Sequence, residues 1–317
     1  MAFRFEANES VADGIKRIVR EQVDKAIAEI DDATLPRHEA VHQVRKRCKK
    51  IRGVVRLVRP AFGSHYRVEN DFFRDTARKL SGLRDAAVMF ETFDKLLGAF
   101  KDQVDREQFT SLRRELVQHR REAAHDTAGL SNKLGVVRER LLEGRERISG
   151  WKLEADGFDA IKGGLLKTYS RGRRAMQSAY AKAGAENFHN WRKRTKYHRY
   201  HLRLLRNLWR PVMQPLRNEA KVLSDLLGHD HDLAVFRHML LNKSGALGSK
   251  RDLQVMLGLI DRRSAELRAE AKPLGERVYT EKPKQIGQRV GSYWEIWISE
   301  DERLSSKLIG PSDLLAA

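Results

Sequence analysis

The chain has 317 residues, and its 62 Lys and Arg outnumber its 43 Asp and Glu, which gives a formal net charge of +19. Hydrophobic residues make up 41%, which argues against wholesale disorder, and the single cysteine, Cys48, excludes a disulfide framework and a zinc site made of cysteines. The excess positive charge predicts an anionic partner, for which nucleic acid, an anionic membrane and polyphosphate are all admissible.

The spacing of apolar residues predicts an all-α protein. Apolar residues recur every three or four positions, as at Val41, Val44 and Cys48, and long alternating strand patterns are absent. Prolines such as Pro215 and Pro273 should lie where helices begin or end. Long amphipathic helices with short connections are typical of helical bundles. In chain order, we expect helices over 9–31, 36–59, 66–97, 101–127, 158–182, 186–209, 214–240, 251–272 and 284–300.

Length and composition also predict the domain organisation and the compartment. A chain of this length suits two units of about 150 residues, and the glycine-containing stretch 128–157 is the expected junction. We place the first unit at 1–150 and the second at 151–317. The first ten residues lack the basic-then-apolar order of a secretory signal, and no stretch has the roughly 20 apolar residues of a membrane span. We therefore expect a cytoplasmic protein.

An internal repeat supports two related units. Segments 42–52 and 189–199 carry the same residue at six of eleven positions, at an offset of 147 residues (189 − 42). The same offset aligns Leu80 with Leu227 and Asp85 with Asp232. Because one register holds over roughly 45 residues, we infer that the chain contains two copies of one helical unit.

The repeated segment carries a row of cations on one helix face. No acidic residue stands between Glu39 and Glu69 or between Glu186 and Glu219, so nearby carboxylates do not relieve the repulsion, as they would on an ordinary solvated face. Arg and Lys in such a row suit phosphate oxygens. The rows comprise His42, Arg45, Lys49, Arg52, Arg56 and Arg59 in the first copy, and His189, Arg192, Lys196, Arg199, Arg203 and Arg206 in the second.

Further cations recur at matching positions or share a helix face with one another. Any single one of them could be ordinary surface, but recurrence in both copies favours a role in binding. These candidates are Lys46 and Lys193 in the repeated segment, Arg20 and Lys167 on the first helices, Arg74 and Lys221 on the third helices, and Arg171 and Arg174 beside Lys167.

The repeated segments resemble the signature of the CHAD family, the conserved-histidine α-helical domain, over nearly the whole chain. The resemblance implies two antiparallel four-helix bundles related by a pseudo-twofold axis, whose second helices line a basic channel. It also implies binding of inorganic polyphosphate and residence at polyphosphate granules, and we expect neither catalysis nor a cofactor or metal. The segments that carry it are His42-x-x-Arg45 with Lys49-Lys50-Ile51-Arg52, and Glu186-Asn187-Phe188-His189-x-x-Arg192-Lys193.

Two features depart from the family pattern. His198 stands where the second half usually carries an apolar residue, and Gly163-Gly164 is expected to weaken the start of the fifth helix. Neither lies in the rows of cations. The roles of His42 and His189 stay open between contact with the ligand and packing inside each bundle.

Two motifs suggest metal enzymes instead. His38-Glu39-Ala40-Val41-His42 has the H-E-x-x-H spacing of zinc proteases, but basic residues follow it at once and the second copy has Ala185 in place of His38. His229-Asp230-His231-Asp232 suggests a metal-dependent phosphoanhydride hydrolase, yet the first copy has Gly82 and Arg84 at the histidine positions. We expect Asp85 and Asp232 to hold arginine side chains or a helix end.

A nucleic-acid-binding module is a further alternative, because basicity alone does not separate phosphate polymers. Aromatic side chains near the second row of cations could stack on bases. Their first-copy counterparts do not repeat such a platform, whereas the cations recur, so we expect core packing for Trp191. The aromatic residues are Trp191, Tyr197, Tyr200 and Trp209, opposite Val44, Lys50, Gly53 and Phe62.

Overall fold

The computed structural model describes residues 3–81, 85–125, 127–242 and 249–308, except for the side chains of 85–87, 123–125, 127–128 and 305–308. Every regular element in these ranges is helical, which confirms the all-α prediction, and no helix among them is long and apolar enough to cross a membrane. A short 3-10 turn at Glu107–Phe109 precedes the fifth helix. The helices are α1 (Val11–Asp31), α2 (Arg37–Leu57), α3 (His65–Arg78), α4 (Asp85–Ala99), α5 (Thr110–His125), α6 (Thr127–Ser149), α7 (Gly157–Ala181), α8 (Ala185–Leu204), α9 (Arg210–Asn242), α10 (Lys250–Val278) and α11 (Pro283–Leu308).

Local chemistry fixes where several helices begin. The Ser10 hydroxyl accepts a hydrogen bond from the backbone N–H of Asp13 at 3.0 Å, and Ser249 does the same for Asp252 at 3.1 Å. Each bond satisfies a backbone donor that has no partner within its helix. α11 begins at Pro283, whose fixed backbone angle suits the first helical position. The starts of α1, α10 and α11 are therefore encoded locally.

The continuous helix predicted over 66–97 is wrong. α3 ends at Arg78 and α4 begins at Asp85, so two helices replace one. Backbone hydrogen bonds from Leu80 to Ala77 and from Ser81 to Arg78 turn the chain after α3. This turn buries the Leu80 side chain completely. Burial of that side chain therefore outweighs continued helical hydrogen bonding at this point.

The predicted helices omit α6, which occupies most of the stretch 128–157 that we expect as the junction between the halves. α6 occupies Thr127–Ser149 and packs against α1 and α3. Its buried residues Leu130, Leu134, Val137 and Leu141 are spaced four, three and four apart, which is the period of one helix face. A continuous apolar face therefore decides the structure here, despite the glycines.

Two prolines lie inside helices, contrary to the prediction that they mark helix ends. Pro215 is in the second turn of α9, and Pro273 is in the last two turns of α10. Each removes one backbone donor close to a helix end, where a lost hydrogen bond disturbs few turns. Buried neighbours such as Met213 and Ala271 hold the two helices in the core.

Two apolar cores hold the helices together. The first contains residues of α1, α2, α3, α6, α7, α8, the first part of α9, the end of α10, and α11. The second contains α4 and α5 together with the later part of α9 and α10. Each core therefore contains residues from before and after residue 150. Helices that precede residue 150 therefore pack directly on helices that follow it. The division of the chain into two repeats at this residue stays a prediction.

The order of packing is the same in the two halves. α1 packs on α2, α2 on α3, and α1 on α6. In the second half, α7 packs on α8, α8 on α9, and α7 on α11. A pseudo-twofold relation between the halves would produce this order of packing. The relation itself remains a prediction.

α2 and α8 contact each other where their backbones come close. Gly53 of α2 lies against the Tyr200 ring of α8, and a Cβ atom added at Gly53 would lie 3.1 Å from that ring. The Nε2–H group of His201 donates to the Gly53 carbonyl oxygen at 3.1 Å. Gly53 and Tyr200 occupy matching positions of the sequence repeat. The contact therefore joins equivalent points of the two copies.

α7 approaches the end of α2 even more closely. A Cβ atom at Gly164 would overlap the Leu57 carbonyl oxygen, and one at Gly163 would lie 2.6 Å from Pro60. α7 begins at Gly157 and runs through both glycines. The expectation that Gly163-Gly164 weakens the start of this helix is therefore wrong, because the missing side chains allow the two helices to touch.

His198 occupies its usually apolar position as a packed ring. It is buried beside Tyr169 and Tyr279, with ring centres 5.3 and 5.8 Å away. The hydroxyls of Tyr279 and Thr195 share a hydrogen bond of 3.1 Å. Burial lowers the pKa of His198 to about 4, so its ring is neutral near pH 7 and fits an aromatic core.

The helix contact at Gly164 can be tested with alanine. Gly164→Ala should lower the free energy of unfolding by about 2–3 kcal/mol, because the added methyl group overlaps a backbone carbonyl. Gly258→Ala makes the same change inside α10, facing open space, and should raise it by about 0.5–1 kcal/mol. Urea denaturation of both variants measures the difference. Equal effects of the two substitutions would contradict the close packing of α7 on α2.

Candidate anion-binding site

One cavity of about 540 Å³ is lined by both α2 and α8. Positions three or four residues apart lie on one helix face, so each helix presents several cations to the same space. His42 of the predicted first row also lines it. The cations that the two helices contribute are Lys46, Lys49 and Lys50 from α2, and Arg192, Lys196, Arg199 and Arg203 from α8.

The remaining walls come from α4, α9 and α10. They add the cations Lys95 and Arg263 and the carboxylates Glu91, Asp225 and Asp232. The cavity is thus lined by nine Lys and Arg side chains and three carboxylates. Apolar side chains of the same helices form other parts of the wall, and such low-dielectric surroundings strengthen the attraction for an anion.

Asp225 partly neutralises one side of the cavity. Its carboxylate lies 2.7 Å from the Lys221 ammonium group and 3.5 Å from the Arg199 guanidinium group. Lys221 is exposed and directs its charge to this carboxylate. Arg199 and Asp225 line the cavity, whereas Lys221 does not. The prediction that Lys221 binds the ligand stays untested.

Lys50 is a cavity residue that the sequence comparison missed. Its ammonium group donates to Gln22 Oε1 at 3.2 Å and lies 5.6 Å from the centre of the Phe3 ring. Burial, assisted by the charges of Arg47 and Arg203, lowers the pKa of Lys50 to about 7. The second copy has Tyr197 at this position, so a search for recurring cations passes over it.

A group of arginines extends from Arg203 at the end of α8. Burial lowers the pKa of Arg203, and the charges of Arg217 and Arg206 lower it further. The buried Nε atoms of Arg206 and Arg217 have no hydrogen-bond partner. This part of the protein therefore holds several guanidinium groups whose donors an anion could satisfy. Arg217 is absent from the sequence prediction because it has no basic counterpart in the first copy.

The first predicted row is divided, because its later members do not line the cavity. Arg52 donates to Asn70 Oδ1 at 3.3 Å. Arg56 stacks on Tyr197, with its guanidinium carbon 4.4 Å from the ring centre, and Arg59 lies 5.0 Å from the ring centre of Tyr66. Arg56, in the last turn of α2, and Arg59, two residues after the helix ends, follow the Gly53 contact in the chain and lie apart from the lysines of the cavity.

Several other predicted cations lie elsewhere. Arg45 donates to the Ala77 carbonyl at 2.9 Å, and Arg74 pairs with Asp71 at 2.7 Å and Asp75 at 2.9 Å. None of these side chains lines the cavity. Besides the residues already named, the predicted cations outside it are Arg20, Lys167, Arg171, Arg174, Lys193, Arg206 and Lys221.

The two row-opening histidines have different surroundings. His42 lines the cavity. His189 stacks on His231 with ring centres 4.2 Å apart, and its buried Nδ1 has no hydrogen-bond partner. Burial, with the charges of Lys193 and Arg192, lowers the pKa of His189 to about 4. His189 is therefore a neutral, half-buried ring, whereas His42 is part of the cavity wall.

The residues of the two metal-enzyme motifs are spread over different environments. His38 is exposed, and Glu39 accepts a hydrogen bond from Gln43 at 2.6 Å. Asp230 is buried and pairs with Arg268 at 2.8 Å, whereas Asp232 lines the cavity with His229. In the described ranges, no group of three or more metal-ligating side chains is placed to hold an ion. The side chain of Asp85 lies outside the described residues.

The aromatic residues near α8 are mostly structural. Trp191 is fully buried in the first core, as expected, and Tyr200 is buried against Gly53. Tyr197 has one face covered by Arg56. Trp209 is 49% exposed but packs edge-on against Tyr293 of α11, away from the cavity. These rings offer no continuous stacking surface beside the cations.

The geometry therefore defines a helical protein with a cation-lined cavity between two repeated helices. The CHAD domain family model matches residues 17–241, from α1 to the end of α9. This chain belongs to the CHAD family. The matched range contains both α2 and α8, which supply most of the cations of the cavity.

Two uncharacterized proteins of Mycobacterium tuberculosis are similar to this chain. MT2285 of strain CDC 1551 and Rv2226 of strain H37Rv are each 27% identical to it over 271 residues. The similarity covers 81% of this chain and 50% of each relative. The chain thus spans about half the length of these relatives.

The buried amine of Lys50 makes the stability depend on pH. The unfolded chain keeps this proton up to the ordinary lysine pKa of 10.5, whereas the folded protein releases it near pH 7. The contribution of Lys50 to the free energy of unfolding should therefore rise with pH between these values, by up to about 1.4 kcal/mol per pH unit. In urea denaturation, Lys50→Met should flatten this rise. Lys46→Met, at an exposed site one turn earlier, should follow wild type, and equal slopes for all three proteins would contradict the burial of a neutral amine.

Proposed function

We propose that this protein binds inorganic polyphosphate in the cavity between α2 and α8, without catalysing its reaction. The supporting observation is the convergence of seven cations from the two repeated helices on one cavity with few carboxylates. Charge-assisted hydrogen bonds from Arg and Lys are the strongest contacts available to phosphate oxygens. Membership of the CHAD family agrees with this ligand.

The arrangement of the two helices also supports a shared channel. On one side of the Gly53 contact, the charge of Arg203 helps to lower the pKa of Lys50. Their repeat counterparts, Tyr197 and Arg56, stack on the other side. The pair Lys50 and Arg203 thus corresponds, through the repeat, to the pair Tyr197 and Arg56. A pseudo-twofold axis through the Gly53 contact would produce this correspondence. We propose that the two repeats are related by such an axis and that polyphosphate follows the face of the crossed helices.

The proposal also concerns the cellular location of the protein. A protein of this charge would concentrate on polyphosphate granules in the cytoplasm, because the granule offers many phosphates to each molecule. The cavity needs neither a metal nor a cofactor for this binding, since the protein's own cations supply the positive charge.

Nucleic acid is the rival ligand, and competition separates the two. Polyphosphate should displace single- and double-stranded DNA at equal phosphate concentration and fixed salt, because the cavity presents cations without a free stacking surface. Fluorescence anisotropy of labelled DNA measures the displacement. DNA that binds as tightly as polyphosphate would rule out this ligand assignment.

Substitutions test whether the cavity, and not net charge, carries the binding. Lys196→Gln and Arg199→Gln should each weaken polyphosphate binding several-fold and reduce the slope of log Kd against log salt by about 1. Lys133→Gln and Lys250→Gln remove the same charge at exposed sites of α6 and α10 and should change little. Similar losses in all four variants would assign the binding to net charge alone.

A phosphoanhydride hydrolase is the second candidate function, favoured only by Asp232 and His229 in the cavity wall. A binding protein should release no orthophosphate from polyphosphate and magnesium beyond a heat-inactivated control. The measurement is orthophosphate release over time, with Asp232→Ala alongside wild type. Sustained release that Asp232→Ala abolishes would establish the hydrolase instead.

A further inference from the structure

Lys50 is a buried lysine in the wall of the cavity between α2 and α8. Only 6% of the residue is exposed, yet it lines the cavity, so a small reagent would reach it from that side. Lys46, one turn earlier on α2, lines the same cavity but is exposed. Two lysines of one helix therefore border the same space in very different surroundings.

An aromatic ring and an amide hold the Lys50 amine in place. Its nitrogen lies 5.6 Å from the centre of the Phe3 ring and donates a hydrogen bond to Gln22 Oε1 at 3.2 Å. The same oxygen accepts a hydrogen bond from Arg47 at 3.3 Å. The guanidinium carbon of Arg203 lies 5.7 Å from the centre of the Phe3 ring. The amine therefore shares one aromatic ring with a guanidinium group and one amide oxygen with another.

The surroundings of this amine favour its neutral form. Burial, and then the charges of nearby cations, lowers the pKa of Lys50 to about 7. A desolvated lysine beside other cations is a nucleophile at neutral pH, because its nitrogen keeps a free lone pair. The charged groups that act most strongly on it are all cations, namely Arg47, Arg203, Lys46 and Lys25.

The cations of the cavity also select the electrophile. Arg203 and Arg199 line the cavity together with Lys50, and guanidinium groups attract a reagent that carries a phosphate group. A phosphate that departs during the reaction gains negative charge, which fixed cations stabilise. An aldehyde would instead give an imine, whose reactive protonated form adds a positive charge where burial and nearby cations oppose one. The site therefore favours an electrophile with a phosphate leaving group.

We propose that Lys50 is a site of acyl transfer from acyl phosphates, the mixed anhydrides of a carboxylic acid and phosphoric acid. The Lys50 nitrogen attacks the acyl carbon, a C–N bond forms, and the bond between that carbon and the phosphate oxygen breaks. The departing phosphate takes the proton that the amine gives up, so the products are an Nε-acyl-lysine and inorganic phosphate. The cavity, of about 540 Å³, is in the range of roughly 300–1,000 Å³ typical of small-molecule sites.

The product of this reaction suits the site. An amide is neutral, so acylation fixes the uncharged state that the surroundings of Lys50 favour. The amide N–H group can still donate to Gln22 Oε1, and Arg47 donates to the same oxygen. The modification therefore keeps the hydrogen bonds at Gln22 and adds no buried charge.

Acyl transfer uses the cavity but does not depend on the polymer proposed to bind there. It requires that one phosphate group enters beside Lys50, whereas the proposed function requires a chain of phosphates. The two proposals can therefore fail separately.

Site-resolved mass spectrometry of the full chain after treatment with acetyl phosphate tests the site. At about pH 7.5, Lys50 should be acetylated at least about tenfold faster than the exposed Lys46 and Lys133. Labelling of Lys50 should level off above about pH 7, whereas labelling of a model lysine peptide should keep rising, since its pKa is about 10.4. Labelling of Lys50 no faster than that of Lys46 would overturn the proposal.

Arg203→Gln separates recognition of the phosphate from reactivity of the amine. The ratio of Lys50 labelling by acetyl phosphate to labelling by the uncharged acetic anhydride cancels changes in the protonation of the amine. This ratio should fall at least about fivefold in Arg203→Gln. Arg210→Gln removes an exposed charge at the start of α9 and should leave the ratio unchanged. Equal ratios in wild type and Arg203→Gln would overturn acyl phosphates as the class of substrate.

Competition in the wild-type protein tests the same point without a substitution. Inorganic phosphate at constant ionic strength should slow acetylation of Lys50 and leave that of Lys133 unchanged, and no slowing at Lys50 would again overturn this class of substrate. Polyphosphate should protect Lys50 too, because the proposed function places it in this cavity. Selective acetylation of Lys50 that phosphate slows and polyphosphate does not would support acyl transfer and count against polyphosphate in the cavity.

Discussion

The contact between α2 and α8 is the constraint on which the arrangement of charge depends. Two helices that each carry a long row of cations have to pack against one another, and they do so through Gly53, the ring of Tyr200 and the buried His201. A backbone carbonyl and a neutral imidazole make the contact, so no cation has to enter the interface itself. The charges lie to the two sides of the contact, where one group lines the cavity and the other, with Arg56 and Arg59, lies against the rings of Tyr197 and Tyr66.

The repulsion in both groups is tolerated because the apolar faces of the same helices are well buried. Val44, Cys48 and Ile51 are fully buried in the first core, as is Trp191 of α8. Each such side chain contributes about 1.5–3 kcal/mol relative to an exposed one. Several partly desolvated arginines oppose this, since folding removes them from water without a carboxylate partner. A bound polyanion restores the missing partner, so occupancy and stability of the protein are thermodynamically linked.

The sequence was sufficient for the helical class, the repeat and the identity of the two cation-bearing helices, because each depends on local periodicity or on self-comparison. It predicted a continuous row from His42 to Arg59 but not its division, because the contact at Gly53 is made with a residue 147 positions away. Lys50 was missed for a related reason, since its burial depends on Gln22 and Phe3. The glycines of α6 misled the prediction because its apolar face is satisfied only by packing on α1.

The second core has a consequence for how the chain is made. Phe93 of α4 packs edge-on against Phe236 of α9, with ring centres 6.4 Å apart, and α10 completes the same core. During translation, α10 begins about 150 residues after α4 ends, which corresponds to roughly 8–30 s of synthesis. Over that time the nascent first half exposes an apolar surface beside a strongly basic helix. The second core therefore closes only after α10 has been made, and its contacts join residues far apart in the chain, as is more common among β-proteins.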